Sequence, residues 1–192
     1  SALALAEGRV VSVDRLIDLV WGEDPPGTAR RTLQSYVADL RQVLGGDDGP
    51  LSASAPGYVL EIPRAHVDLF GFADDVARAR REATTNPAEA AARLARELER
   101  WAPPLDGLRP STALQALLVP YEELRLEALE AMNDIELDYG EAGRAVGRLE
   151  MLVRMHPVRE RFWAQLIRGH VTLGRRDAAL HCSQRAREAL RE

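Results

Sequence analysis

Residues 12–45 read Ser-Val-Asp-Arg-Leu-Ile-Asp-Leu-Val-Trp-Gly-Glu-Asp-Pro-Pro-Gly-Thr-Ala-Arg-Arg-Thr-Leu-Gln-Ser-Tyr-Val-Ala-Asp-Leu-Arg-Gln-Val-Leu-Gly. Two amphipathic helices are written there, with a turn between them. Ser12 is an N-cap, Val11 and Leu16 form a hydrophobic staple, and Leu16, Ile17, Leu19, Val20 and Trp21 make one apolar face that Gly22 ends. After the Gly22–Gly27 turn, Thr28 caps a second helix that closes at Gly45, with Leu33, Val37, Leu40 and Leu44 at three- and four-residue steps. Pro56-Gly57-Tyr58 then marks a hairpin. Helix, turn, helix and wing is a way of holding one helix in a DNA groove.

The other side of the second helix presents Arg30, Arg31, Gln34, Ser35, Ala38 and Arg41. Arginine grips phosphate or reads guanine with two bonds, glutamine reads adenine the same way, and short Ser and Ala side chains let the helix approach base edges. A solvated helix face carries similar residues without binding anything, so the composition of the face alone leaves both readings open. Tyr36 has two readings as well: a hydroxyl that reaches the DNA backbone, or a ring partly buried between its apolar neighbours.

Charge bounds the nucleic-acid reading. The 192-residue chain carries a formal net charge of −5, low for a dedicated nucleic-acid binder. Within residues 1–64, Arg9, Arg15, Arg30, Arg31, Arg41 and Arg64 face Glu7, Asp14, Asp18, Glu23, Asp24, Asp39, Asp47, Asp48 and Glu61. Binding must then come from placement of charge on one face, and it should be modest and salt-sensitive. All 25 basic residues are Arg, a composition that fits a GC-rich bacterial genome. The sole cysteine, Cys182, excludes an intramolecular disulfide, fits a reducing cytoplasm and falls in an apolar helical pattern as a small core side chain. No apolar run is long enough to span a bilayer.

A boundary falls near Pro63–His66, giving domains of residues 1–64 and 65–192. Beyond it every segment reads as helix: Leu69 to Ala83 opened by Asp68, Ala88 to Trp101 opened by Asn86-Pro87, a loop marked by Pro103, Pro104 and Pro110, and a long stretch from Leu114 to Tyr139 entered around Pro120. Three more follow at Glu141–Met155, Arg159–Leu173 and Arg175–Arg191. Gly140 and Gly174 lie 34 residues apart, the tetratricopeptide period. Trp163, Leu166 and His170 fall on the Trp, Leu and Tyr positions of that repeat, Ala145, Ala179 and Ala186 on its small-residue positions, and Pro157 on its closing proline. Stacked helix pairs of this kind make a partner-binding scaffold.

No catalytic constellation stands out. Gly45-Gly46-Asp47-Asp48-Gly49 has the wrong spacing for a phosphate loop and two repelling acids, and it reads as a helix C-cap leading into the hairpin. His66, His156, His170 and His181 show no metal-ligand pairing at helical spacing. The acid pairs Asp74-Asp75 and Glu122-Glu123 read as solvated faces with exposed ion pairs. The expectation is a non-enzyme with no cofactor and no metal.

Gly8-Arg9-Val10-Val11-Ser12-Val13-Asp14-Arg15-Leu16-Ile17, Leu19-Val20-Trp21-Gly22-Glu23-Asp24-Pro25-Pro26, Thr32-Leu33-Gln34-Ser35-Tyr36-Val37, Leu40-Arg41 and Pro56-Gly57-Tyr58 together resemble the Streptomyces antibiotic regulatory protein family. The resemblance implies a mainly α chain: an OmpR/PhoB-type winged helix-turn-helix followed by an all-α, tetratricopeptide-like bacterial transcriptional activator domain. The recognition helix would span about 28–44 and the wing about 51–62. It implies a cytoplasmic bacterial activator that binds promoter direct repeats in double-stranded DNA. Arg30, Arg31, Gln34, Ser35, Tyr36 and Arg41 would touch DNA, and the helical domain would pair protomers and contact RNA polymerase and its sigma factor. Ser1–Gly8 resembles the last turns of the family's first helix and the N-terminal sheet has no counterpart, so the chain reads as a piece of a longer one. Positions often basic in such helices hold Ala38 and Asp39, and the wing lacks Arg, with only Arg64 beyond it. Those departures motivate an alternative reading, a protein-docking scaffold with a degenerate winged helix that no longer binds DNA.

Overall fold

Helix α1 (Ala2–Leu5) leads to strand β1 (Val11–Ser12), then α2 (Val13–Trp21) and α3 (Ala29–Val43), then β2 (Leu51–Ser54) and β3 (Gly57–Leu60). Six further helices follow: α4 (Asp68–Glu82), α5 (Pro87–Arg100), α6 (Thr112–Asp138), α7 (Ala142–Met155), α8 (Glu160–Thr172) and α9 (Arg176–Ala189). The structure, a computed structural model, describes residues 2–105 and 110–191. The expected loop between Pro104 and Pro110 lies partly outside them. The chain divides into two compact units, Ser1–Phe72 with Ala102–Glu123, and Ala73–Trp101 with Leu124–Glu192.

In the first unit the caps behave unequally. Ser12 Oγ accepts from Arg15 N, whereas the Thr28 side chain makes no capping bond, although α3 does begin directly after it. Gly22 and Gly45 end α2 and α3 with positive φ, a conformation open to glycine at little cost. Leu16, Leu33, Val37 and Leu51 form the core, with Val11, Ile17, Trp21, Tyr58 and Leu60 packed against it. Strands β2 and β3 make the wing hairpin. β1 adds to the far side of β3, Val11 opposite Tyr58 and Ser12 opposite Gly57, so the antiparallel order is β1-β3-β2. That short third strand has no sequence pattern of its own. It fits because Gly57 lacks a side chain: a Cβ there would come within 1.8 Å of the Val11 carbonyl oxygen.

The long helix starts earlier than its proline indicates. α6 begins at Thr112 and runs through Pro120, since Ser111 Oγ accepts from Leu114 N and so supplies a start signal upstream. Ser111 also donates to the Leu19 carbonyl at the end of α2. Pro120 is exposed, where water can take the place of the bond it forfeits.

In the second unit Asn86 Oδ1 accepts from Glu89 N to open α5, with Pro87 in its first turn. Gly140 and Gly174 take left-handed φ of 94° and 71° at the turns before α7 and α9. The repeat positions are core: Ala145, Leu166, Trp163, His170, Ala179 and Ala186 are all buried, and Trp163 Nε1 donates to the Pro157 carbonyl. A polar seam crosses this core. Asn133, fully buried, donates to Gln165, which donates in turn to the Glu130 carbonyl, while Arg148 donates to Asn133 and pairs with Glu136. Cys182 is buried as expected, and burial pushes its thiol pKa up.

Candidate nucleic-acid interface

Helix α3 turns two unlike sides outward and inward. Ala29, Leu33 and Val37 are buried, which fixes the rotation of the helix; Arg31, Ser35, Ala38 and Gln42 are exposed on the opposite arc, and exposed Arg30 and Gln34 with half-buried Arg41 lie on the flank between that arc and the buried stripe. At about 3.6 residues per turn, Arg30, Gln34 and Arg41 fall within about 40° of one another and Arg31 and Ser35 within about 140° of Arg30. Five of the six sequence-derived site residues therefore share one face, with Ala38 near its middle.

Tyr36 lies on another flank, about 160° round the helix from Ala38. The residue is 51% exposed and its ring stacks on Trp21, with centroids 6.3 Å apart and planes 16° from parallel. It also borders an apolar cavity of about 580 Å³ with Leu33, Leu40 and Leu114. The ring is therefore a clamp between α2 and α3 rather than a buried core side chain.

Two arginines of the face already hold carboxylates. Arg30 Nη2 lies 2.6 Å from Asp14 Oδ1 on α2, and Arg41 Nη2 lies 3.0 Å from Asp47 Oδ1 in the turn after α3. Both acids are more exposed than their partners, Asp47 by far, so each pair is loosely held and competes with an incoming phosphate. Arg31 has no such partner among the described residues, and Ser35 Oγ donates back to the Arg31 carbonyl. Asp14 and Asp47 are the residues that sequence reasoning missed. Their charges were visible, but nothing in spacing brings residue 14 to residue 30.

The wing supplies the hairpin without a cation. Arg64, beyond it, is engaged within the unit: its guanidinium pairs with Glu7 and lies 4.5 Å from the centre of the Phe70 ring. Among the described residues no three His, Cys, Asp or Glu side chains gather as a metal would need, and no helix is long and apolar enough to cross a membrane.

Residues 1–60 match the family model described as transcriptional regulatory protein, C terminal, and residues 67–192 match the bacterial transcriptional activator domain. The chain is similar to the transcriptional regulatory protein EmbR of Mycobacterium tuberculosis, 34% identical over 194 residues that cover 98% of this chain and 50% of that protein. It is similar to the regulatory protein DnrI of Streptomyces peucetius, 32% identical over 205 residues, 99% of this chain and 74% of DnrI. A solved structure of Mycobacterium tuberculosis EmbR in complex with a low-affinity phosphopeptide superposes with a TM-score of 0.84 over 98% of this chain and 51% of that one. The chain spans about half the length of EmbR.

Proposed function

The chain belongs to the Streptomyces antibiotic regulatory protein family of transcriptional regulators, and from that premise we propose that residues 1–64 bind promoter DNA while residues 65–192 pair protomers and contact RNA polymerase with its sigma factor. The observation that carries the DNA reading is the outer face of α3, where Arg30, Arg31, Gln34, Ser35 and Arg41 converge around the short side chain of Ala38. In this mechanism α3 enters the major groove, Gln34 and Ser35 meet base edges, and the arginines hold phosphates or guanine. Tyr36, stacked on Trp21, sets the α2–α3 angle, and its hydroxyl reaches the backbone only at the margin of the groove. The protein works as a cytoplasmic activator in a bacterium, and protomers side by side on direct repeats add their modest affinities.

Selection of sites from random duplexes tests this. Recovered direct repeats spaced by about one helical turn support it, and an absence of enrichment at low salt refutes it. The acid partners of Arg30 and Arg41 favour a second reading, in which the winged helix docks protein instead. A duplex-independent function that survives removal of all three arginines would select that reading.

A further inference from the structure

Helix α7 carries an outward face that the fold of its own unit does not use. Ala142, Ala145, Val146, Leu149, Leu152 and Val153 are buried on one side. On the other, Gly143, Arg144, Gly147, Met151, Arg154 and Met155 occupy a continuous arc of about 120° at the helical repeat. Met151 is 50% and Met155 61% exposed, and Val158 just beyond the helix is 71% exposed. The residues at the two margins are spoken for: Arg148 bonds Asn133 and Glu136, and Glu150 pairs with His170 and Arg185. Arg144 and Arg154 make no side-chain ion pair among the described residues, and no acid lies on the arc.

Internal stability does not explain this composition. Glycine inside a helix is unfavourable relative to alanine, and at Gly143 and Gly147 an added Cβ would meet nothing within 4 Å. Exposed methionines adapt their shape to a partner, and a contiguous exposed apolar patch marks an interaction surface. We infer that the Gly147–Met151 face of α7 docks an acidic amphipathic helix of another protein.

Charge selects that occupant over a pairing of α7 with the α7 of a second copy. An antiparallel pair of α7 helices crossing between Gly147 and Met151 sets Arg144 of one against Arg154 of the other, and a parallel pair sets each arginine against itself. Like charges then meet at both ends of the contact. A foreign helix with acids about ten residues apart, about 15 Å along its axis, instead reaches both arginines while its apolar stripe covers the methionines and lies close over the glycines. This surface is independent of the DNA reading.

The test uses the whole chain and two synthetic helical peptides of about 18 residues with the same leucine stripe, one with glutamates and one with lysines at the flanking positions. Fluorescence anisotropy should show the glutamate peptide binding at least about tenfold tighter than the lysine peptide, and the double variant R144E/R154E should invert that preference. Gly147→Ala should weaken the peptide while raising Tm by about 3 °C, which separates a docking role from a folding one. Equal binding of both peptides, binding of neither, or peptide affinity unchanged in Gly147→Ala overturns the inference. A concentration-dependent dimer by sedimentation that Gly147→Leu abolishes also overturns it, by making a second copy the occupant.

Discussion

Arg31 stands alone on the outer face of α3, without a carboxylate beside it among the described residues, whereas Arg30 and Arg41 answer to Asp14 and Asp47. The three cations of the face are thus not equivalent. Arg31→Ala should weaken specific and random duplexes alike and lower the salt slope by about one, while Gln34→Ala should relax preference at one base pair, a discrimination of about 1–3 kcal/mol, as read by titration against single-base variants. Asp14→Asn and Asp47→Asn should act in the opposite direction. Each frees a guanidinium for phosphate and removes a negative charge from the interface, so affinity and salt slope should both rise in filter-binding titrations. A pair of neutral variants that bind no tighter would mean that the face does not approach DNA.

At the level of elements, the wing depends on close contact between backbones. Gly57→Ala drives a methyl group into the Val11 carbonyl and the Ser12 backbone, which cannot move aside as a side chain can. The expected loss is about 2 kcal/mol or more in chemical denaturation, with β1 released from β3. The helices were legible in advance because each carries its own period and punctuation. Ser12, Gly22, Gly45, Asn86-Pro87 and the 34-residue step from Gly140 to Gly174 all mark real boundaries. What escaped was non-local. β1 is two residues long and is defined by its partner, α6 takes its start from Ser111 rather than Pro120, and the Asp14 and Asp47 contacts exist only once the chain has turned back on itself. The same limit applied to Tyr36, whose apolar neighbours announced contact but not the choice of Trp21 as its companion. Within α4, the Arg78 guanidinium hydrogen-bonds the Glu82 carboxylate and, with Arg93 adding to the effect, holds its pKa below the usual range. A carboxyl lowered by folding contributes stability above its unfolded pKa and loses it as pH falls. Glu82→Gln should therefore lower stability at neutral pH, while the difference from the parent chain shrinks as pH falls below about 4, as followed by thermal melts across pH.

Over the whole molecule, burial makes Cys182 a reporter of folding. Its thiol is shielded in α9 and its pKa is raised chiefly by burial, so a thiol reagent at neutral pH should label it only as fast as the second unit opens, and at once in denaturant. Labelling as fast as a free thiol would show that α9 frays from α8. The buried seam of Asn133, Gln165, Arg148 and Glu130 has a different consequence, one of identity rather than strength. Helical hairpins of this class carry similar apolar faces, and oil alone would let one stack on any other, slip by a turn, or trade places with the hairpin of a neighbouring chain. Amides and a guanidinium at the joint remove that freedom, since each displaced arrangement strands a donor or acceptor away from water. The seam works as a lock that accepts one key, and it sets which helix may follow which.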